Sequence, residues 1–299
     1  MSALTASTDA AASLAPTDRA SGKAPAARTS RRRGPLDWVR AHVLATTAVL
    51  IFVFLLAPNV VMFVMSFNAP VGKYNYIWHQ FSTDAWRHPC QVGDICQHMG
   101  LSLEIGVVAM IASTILGTMA AFAMSRHRFR ARPAVNVLLF LPMAAPEIIM
   151  GATLLTLFFS TIGSGSMGFW TIVIGHIMFC LSYVVVTVKS RLAGLDPTLE
   201  KAAQDLYATP RQTFLKVTLP LVAPGIAAAA LLSFALSVDD YIVTKYTAGD
   251  QITFPLYVYG AVQRSVPTQI DVIGSMMMLV TMTGIAGMLV LGRLRARRR

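Results

Sequence analysis

The chain has 299 residues, of which 55% are hydrophobic and only 13% are charged, and its mean hydropathy is +0.59. A soluble domain usually carries about 25% charged residues, so this composition excludes an ordinary soluble enzyme. The net charge of +11 would suggest a nucleic-acid partner in a soluble protein, and the positions of the basic residues decide whether that suggestion holds.

The first segment, residues 1–35, is rich in Ala, Ser, Thr and Pro and has no hydrophobic cluster. Such a segment cannot bury enough apolar surface to fold, so we predict a disordered cytoplasmic tail. The first apolar run begins only near residue 43 and is long enough to span a bilayer, which argues against a cleavable signal peptide. The remainder, 36–299, is predicted to form one transmembrane domain.

Six apolar stretches have the length of about 20 residues that a helix needs to cross the hydrocarbon core. They are 43–66, 101–125, 134–160, 169–188, 219–243 and 270–292. A Gly/Ser-rich link at 163–168 joins the third and fourth stretches and predicts a helical hairpin. The sequence therefore predicts an all-α polytopic membrane protein with six transmembrane helices.

The basic residues are concentrated on one side of the predicted membrane. Of the 25 Lys and Arg residues, 21 lie in the N-terminal region, in the loops after the second and fourth spans, or at the C-terminus. The positive-inside rule assigns that side to the cytoplasm, so both termini are expected there. The charge thus indicates orientation and attraction to anionic membrane lipid, and we expect no nucleic-acid partner.

The predicted external loop, 68–100, contains two cysteines, Cys90 and Cys96. Disulfides persist in extracytoplasmic compartments, and both a bridge and two free thiols are compatible with the spacing. Three histidines in the same loop make a metal site conceivable, but their spacing matches no familiar ligand pattern. No metal site is predicted.

The cytoplasmic loop between the fourth and fifth spans contains a predicted amphipathic helix. The sequence 196–198, Asp-Pro-Thr, is typical of a helix start, and Thr209-Pro210 is typical of a stop. A second helical stretch, 211–217, leads to Leu219-Pro220 at the start of the fifth span. This helix is either a docking element or an ordinary surface helix.

The same loop resembles the signature of the permease subunits of type I ABC importers. That signature is E-A-A, three residues, Gly, nine residues and then I-x-L-P, and the matching residues here are Ala202-Ala203, Asp205-Leu206 and 217–220 (Val-Thr-Leu-Pro). Within that family the chain looks most like the second permease of spermidine/putrescine importers. The further stretches that carry the likeness are 141–151, 176–186, 236–260 and 264–271. The resemblance covers roughly residues 42–290.

The resemblance implies that a coupling loop, 190–218, docks on an ATP-binding subunit. The docking residues that it implies are Glu200, Lys201, Ala202, Ala203, Asp205, Tyr207 and Pro220. Lys201 stands where the family has Glu, and Tyr207 stands where it has Gly, which predicts an altered contact with the ATPase. The resemblance also implies a multi-pass protein of the cell inner (plasma) membrane.

The partners implied by the resemblance are a second homologous permease, two ATP-binding subunits and an extracytoplasmic substrate-binding protein. The sequence has no GxxxxGK[ST] phosphate loop and no Ser/His/Asp arrangement with enzymatic spacing. We therefore expect a transport subunit and not an enzyme, with no cofactor on this chain and ATP and Mg on the partner ATPase.

Carboxylates inside the predicted spans are candidates for a cation pathway, because ionisable groups are costly in a membrane and usually face a cavity or a partner. Glu147 lies 13 residues into the third span, about 20 Å along the helix. Pro142 and Pro146 flank it and predict a broken helix that lines a cavity. Alternatively, Glu147 pairs with a neighbouring helix and does not contact substrate.

Asp239 and Asp240 form a second acidic cluster near the outer end of the fifth span. Adjacent helical residues point about 100° apart, so at most one is expected to face the pathway, while the other caps a helix or pairs, with Lys245 as a candidate. The alternative is interfacial solvation of both. The nearby aromatic rings that could make cation–π contacts are those of Tyr241, Tyr257 and Tyr259.

Spaced carboxylates with aromatic faces suit a flexible chain that carries several ammonium groups. Together with the resemblance, they predict the membrane-spanning permease of an ATP-driven importer of polyamines, spermidine or putrescine. The alternatives are the same fold with another small solute as cargo, or a free-standing cation channel or carrier.

Overall fold

The computed structural model describes residues 35–127 and 129–297, so the predicted tail lies outside the described residues except for its last position. The helices are α1 Pro35–Met65, α2 Asp84–Arg87, α3 Ile95–Arg126, α4 Arg132–Ala144, α5 Glu147–Ile162, α6 Phe169–Ala193, α7 Thr198–Asp205, α8 Pro210–Thr213, α9 Leu219–Asp239, α10 Ile242–Thr247, α11 Phe254–Val262 and α12 Thr268–Arg297. A 3₁₀ turn, Ser164–Ser166, and a π-helical turn, Phe214–Thr218, complete the set. The predicted all-α class is confirmed.

The first helix, α1, crosses a boundary between two compact units, of which one ends at Leu56 and the other begins at Ala57. The described part of the first unit is the beginning of α1, whose side chains from Val43 onward are almost all exposed. The second unit contains the end of α1 and all the other helices. An exposed apolar stretch such as Val43 to Leu55 suits lipid or another membrane helix.

Four helices are long and apolar enough to span a bilayer: Val43–Met65, Ile95–Arg126, Phe169–Ala193 and Pro210–Asp239. They correspond to the first, second, fourth and fifth predicted spans. The pair α4 and α5 makes a fifth if it is counted as one bent span. The sixth predicted stretch lies in α12, where several side chains near the C-terminus are outside the description, so the described residues give a count of four or five.

The third predicted span is a pair of helices bent by 104°. α4 ends at Ala144, and Ala145 has an extended backbone (φ −71°, ψ 139°) before Pro146. A proline disfavours the helical conformation in the residue that precedes it, which explains the break. Glu147 is consequently the first residue of α5, at the bend that the flanking prolines predicted.

The centre of the second unit is formed by α3, α6 and α9, which pack on one another. Small residues allow the close approach, because a methyl group added to Gly117 of α3 would lie 2.6 Å from a methyl carbon of Val184 in α6. The hydroxyl groups of Ser113 and Ser233 are 2.7 Å apart and link α3 to α9. These contacts hold α3, α6 and α9 together at the centre of the unit.

The fifth predicted span begins earlier and ends sooner than the sequence indicated. It starts at Pro210, where Thr209 and Gln212 form a reciprocal capping box, and it runs through the π-helical turn into α9. It ends at Asp239 and not at residue 243, because Asp240 leaves the helical conformation (ψ 125°). The Asp240 carboxylate instead accepts the backbone N–H of Thr244 at 2.8 Å, at the start of α10.

The loop between α1 and α3 is fixed by a disulfide and by a chain of amides. Cys90 and Cys96 are joined in a disulfide, with their Cα atoms 5.3 Å apart. The Asn75 amide donates to the Asp271 carboxylate of α12 at 2.7 Å, and its carbonyl accepts from the Asn68 amide at 2.7 Å. The loop is therefore tied to the beginning of α12.

Candidate functional site

Glu147 and Asp239, which are far apart in sequence, line one cleft with a volume of 570 Å³. We call it the carboxylate cleft. Its lining residues are Glu147, Phe179, Leu232, Ala235, Leu236, Asp239, Asp240, Tyr241 and Ile242. The structure thus brings together the acidic residues of the third and fifth predicted spans.

Both carboxylates stand at helix breaks, since Glu147 begins α5 and Asp239 ends α9. Both residues are exposed, and within the described ranges neither has an ion-pair partner. A negative charge at membrane depth is tolerated where it faces water or a cationic ligand. The cleft therefore presents two unpaired negative charges among apolar and aromatic side chains.

Asp240 has a different environment from its neighbour, because its side chain is only 5% exposed. Its carboxylate accepts hydrogen bonds from the backbone N–H and the hydroxyl of Thr244, both at 2.8 Å, and lies 3.3 Å from Nε2 of His176. The expected partner, Lys245, is therefore replaced by His176. Asp240 borders the cleft, but its carboxylate is turned into the bundle, where it holds α9, α10 and α6 together.

Reasoning from the sequence missed His176, which is buried in α6. Its ring nitrogens lie 2.6 Å from the Ser237 hydroxyl and 2.9 Å from the Thr244 hydroxyl. Buried polar groups need such partners. A single histidine inside an otherwise apolar span was the available signal, since a polar ring there needs a partner on another helix.

A pair of tyrosines lies next to the carboxylate cleft. Tyr241 and Tyr259 have their ring centroids 4.6 Å apart, and the Lys245 ammonium lies 5.6 Å from each centroid. Both rings, with Asp239, line an adjoining cleft of 560 Å³. The arrangement shows that a primary ammonium fits over these two rings.

Tyr257 is not part of this arrangement, contrary to the expectation from the sequence. Its ring stacks on His98 at 5.1 Å and packs with the apolar cluster at the beginning of α3. His98 in turn lies 2.7 Å from the carbonyl oxygen of Ile252. Residues two apart on a helix point about 200° apart, so Tyr257 and Tyr259 face opposite sides of α11.

The predicted coupling loop forms α7 and α8, and Glu200 holds α7 to the bundle. Its carboxylate accepts both terminal N–H groups of Arg126, at the end of α3, and the Thr218 hydroxyl at 2.7 Å. These hydrogen bonds, chiefly those from Arg126, hold the pKa of Glu200 below its ordinary value, although partial burial opposes the shift. Glu200 therefore faces inward to α3.

The outward part of the loop is exposed, and it ends in an unusual backbone conformation. Exposed residues include Lys201, Ala202, Asp205, Leu206, Tyr207 and Pro220, while Ala203 is half-buried. Tyr207 has φ of +61° and is 94% exposed. A positive φ is unfavourable for a side-chain-bearing residue and easy for glycine, so a glycine would adopt the backbone conformation of this position without strain.

Comparison with known proteins identifies the family. The family described as binding-protein-dependent transport system inner membrane component matches residues 113–299. The chain belongs to this family. It is a family of transport subunits in the inner membrane and not of enzymes, and the match contains the carboxylate cleft and the coupling loop.

Two curated relatives from Escherichia coli K12 show the same membership. The spermidine/putrescine transport system permease protein PotC is 34% identical over 233 residues, which are 78% of this chain and 87% of PotC. The putrescine transport system permease protein PotI is 35% identical over 233 residues, 76% of this chain and 82% of PotI. The resemblance found in the sequence is confirmed.

Solved structures show the same fold in ABC importers. A chain of a bacterial ABC transporter that imports the acidic polysaccharide alginate has a TM-score of 0.57 at 18% identity, and covers 87% of this chain and 98% of its own. A second structure, of the alginate transporter in complex with a pentasaccharide-bound periplasmic protein, has a TM-score of 0.58 at 17% identity, with coverage of 81% and 89%. At these identities the likeness concerns the fold.

Proposed function

We propose that this permease imports polyamines, with spermidine and putrescine as the cargo, by ATP-driven transport. The observation that carries the proposal is the carboxylate cleft, where Glu147 and Asp239 offer two negative charges without ion-pair partners among the described residues. Two carboxylates and a tyrosine pair match ammonium groups joined by an apolar chain. The names of the relatives PotC and PotI agree with this cargo.

The position of Lys245 supports this role for the tyrosine pair. Its ammonium is chemically like the end of a polyamine, and it lies 5.6 Å from the centroids of both Tyr241 and Tyr259. A cargo ammonium that replaces it would meet the same rings next to Asp239. We infer that these side chains form part of the polyamine pathway, with Glu147 across the carboxylate cleft.

The proposed assembly contains this chain, a second homologous permease, two ATP-binding subunits and an extracytoplasmic binding protein. ATP and Mg bind on the ATP-binding subunits, and this chain holds no cofactor of its own. The exposed face of the coupling loop, from Lys201 to Tyr207, contacts an ATPase, while Glu200 anchors that face to α3. The cytoplasmic location of the loop and of both termini follows from the 21 of 25 basic residues on that side.

A panel of cargoes tests the proposal. The complete assembly is reconstituted in vesicles, and ATP-dependent uptake of labelled spermidine and putrescine is compared with that of neutral and anionic solutes. We expect uptake of the polyamines alone. Uptake of a neutral or anionic solute, without polyamine uptake, would contradict the polyamine assignment but would still be compatible with an importer.

A further inference from the structure

Another cleft, remote from the carboxylate cleft, lies on the side of the coupling loop, where α3 and α6 end and α4 begins. It has a volume of 280 Å³ and is lined by the last turns of α3 and α6, the first residue of α4 and the beginning of α7. We call it the basic cleft. Three of its lining side chains are basic, Arg126, Arg132 and Lys189, and two are acidic, Asp196 and Glu200.

The charges in the basic cleft are not balanced. Arg126 and Glu200 neutralise each other through their paired hydrogen bonds. Arg132 and Lys189 are half-buried, and in the described part of the chain neither has an ion-pair partner. The Lys189 ammonium donates to the neutral amide oxygen of Asn136 at 2.8 Å, which fixes its position without compensating its charge.

The remaining acid, Asp196, reduces the excess only in part. It is exposed, and its carboxylate accepts the backbone N–H of Thr198 at 2.9 Å. The cleft therefore keeps one positive charge in excess, on two cations partly withdrawn from water, where an unpaired charge is costly. A singly charged anion between Arg132 and Lys189 would remove that cost.

The position of the cleft indicates which anion fits. Arg126 and Lys189 stand in the last turns of α3 and α6, two helices long and apolar enough to span a bilayer, and Arg132 begins α4. The cleft is therefore expected at the level of the lipid headgroups. Leu192, Leu195 and Pro197 give it an apolar wall. Basic pockets between membrane helices on the cytoplasmic side are suited to anionic headgroups.

We propose that the basic cleft binds a singly charged phosphate group between Arg132 and Lys189, and that this phosphate belongs to a phospholipid headgroup. Its volume of 280 Å³ lies just below the range of about 300 to 1,000 Å³ for small-molecule sites, which suits a headgroup with the acyl chains outside. Only the choice of leaflet rests on the proposed orientation, and the binding itself is independent of the cargo. An occupied cleft would hold the ends of α3, α4 and α6 together beside the coupling loop.

The test is a direct binding measurement that involves no transport. The full chain is purified in a neutral detergent and titrated with phosphatidylglycerol, and bound lipid is counted by native mass spectrometry. We expect one site, and we expect the double substitution Arg132→Gln and Lys189→Gln to weaken it roughly tenfold or more, since each basic residue contributes separately to binding of an anionic headgroup. Phosphatidylcholine should show no such difference.

Two matched variants separate the site from general charge and from folding. Arg130→Gln removes an exposed charge from the connection between α3 and α4, outside the cleft. This variant should bind lipid as the unmodified chain does. Lys189→Arg keeps the charge and should retain binding. Thermal unfolding in the absence of lipid shows whether the double variant is folded.

Two further arms distinguish the anion's source and can overturn the proposal. Binding of inorganic phosphate that depends on Arg132 and Lys189, without binding of phosphatidylglycerol, would keep the phosphate chemistry and assign a soluble source. Unchanged lipid and phosphate binding in the double variant would overturn the proposal. If lipid and phosphate binding are unchanged but the double variant no longer co-purifies with the ATP-binding subunit, the cleft is a contact site for that subunit instead.

Discussion

At the scale of single residues, two adjacent aspartates have opposite environments. Asp239 is exposed at the end of α9, while the Asp240 side chain is 5% exposed and bonded to Thr244 and His176. Their separation follows from the helix break, which turns one carboxylate to the carboxylate cleft and the other to the bundle. The two residues should therefore respond differently to the same substitution.

We expect Asp240→Ala to lower stability, because it leaves the Thr244 N–H without its acceptor and removes the carboxylate that lies beside the His176 ring. A buried polar group left without a partner costs about 1 to 3 kcal/mol, so the melting temperature in detergent should fall measurably. Asp239→Ala, the matched control, should leave the melting temperature unchanged and reduce polyamine uptake. Equal melting temperatures for the two variants would contradict the assigned roles.

Glu147 is expected to act by its charge. Glu147→Gln keeps the size of the side chain and removes the negative charge, so ATP-dependent uptake of spermidine should fall while the assembly stays intact. Glu104→Gln is the matched control, since Glu104 is an exposed carboxylate of α3 outside the carboxylate cleft. Unchanged uptake in Glu147→Gln would leave Glu147 with a structural role.

The sequence located the acidic residues that line the carboxylate cleft, but not all their partners. Pro146 was sufficient to predict the break before Glu147, because a proline restricts the residue before it through local geometry alone. The pairing of Asp240 with His176 depends on how α6 packs against α9 and α10, which no local pattern contains. The position of Tyr257 could not be predicted either, because packing decides which face of α11 meets the clefts and no local pattern contains that information.

At the scale of helices, α7 is attached to the membrane bundle chiefly through Glu200. This carboxylate, bonded to Arg126 of α3 and Thr218 of the π-helical turn, links the loop helix to the spans on both sides. Movement of α7 would therefore be passed to α3 and to the beginning of α9. The departure at Lys201 does not affect this link, because Lys201 is exposed.

The link should depend on pH. The pKa of Glu200 is lowered in the folded protein by the bonds from Arg126, so its stabilising effect is present above the unfolded-state pKa of about 4.3 and is lost as the pH falls through the lower folded-state pKa. We expect the melting temperature to exceed that of Glu200→Gln near neutral pH, with the difference shrinking below about pH 4. A difference that grew on acidification would contradict this role.

Tyr207 tests whether the loop needs its side chain or only its backbone conformation. Because φ is +61° there, Tyr207→Gly should preserve the loop, and co-purification with the ATP-binding subunit should persist. Tyr207→Val, which places a β-branched residue at positive φ, should weaken association. Loss of association in Tyr207→Gly would show that the partner has adapted to the phenol ring.

At the scale of the whole molecule, the charge distribution and the helix bundle agree with the proposed orientation and role. The 21 of 25 basic residues assigned to the cytoplasm include Arg126, Arg132 and Lys189 of the basic cleft, and that side also contains the coupling loop. The bundle joins this loop, through α9, to the carboxylate cleft at the other end of the helix. Such a connection suits a conduit driven by a separate ATPase.

The most direct test of this account is uptake of labelled spermidine into vesicles that contain this chain, the second permease, the ATP-binding subunits and the binding protein, with and without ATP. The account predicts accumulation only with ATP and only with every component present. Accumulation by this chain alone, without ATP, would contradict the account and indicate a free-standing channel or carrier.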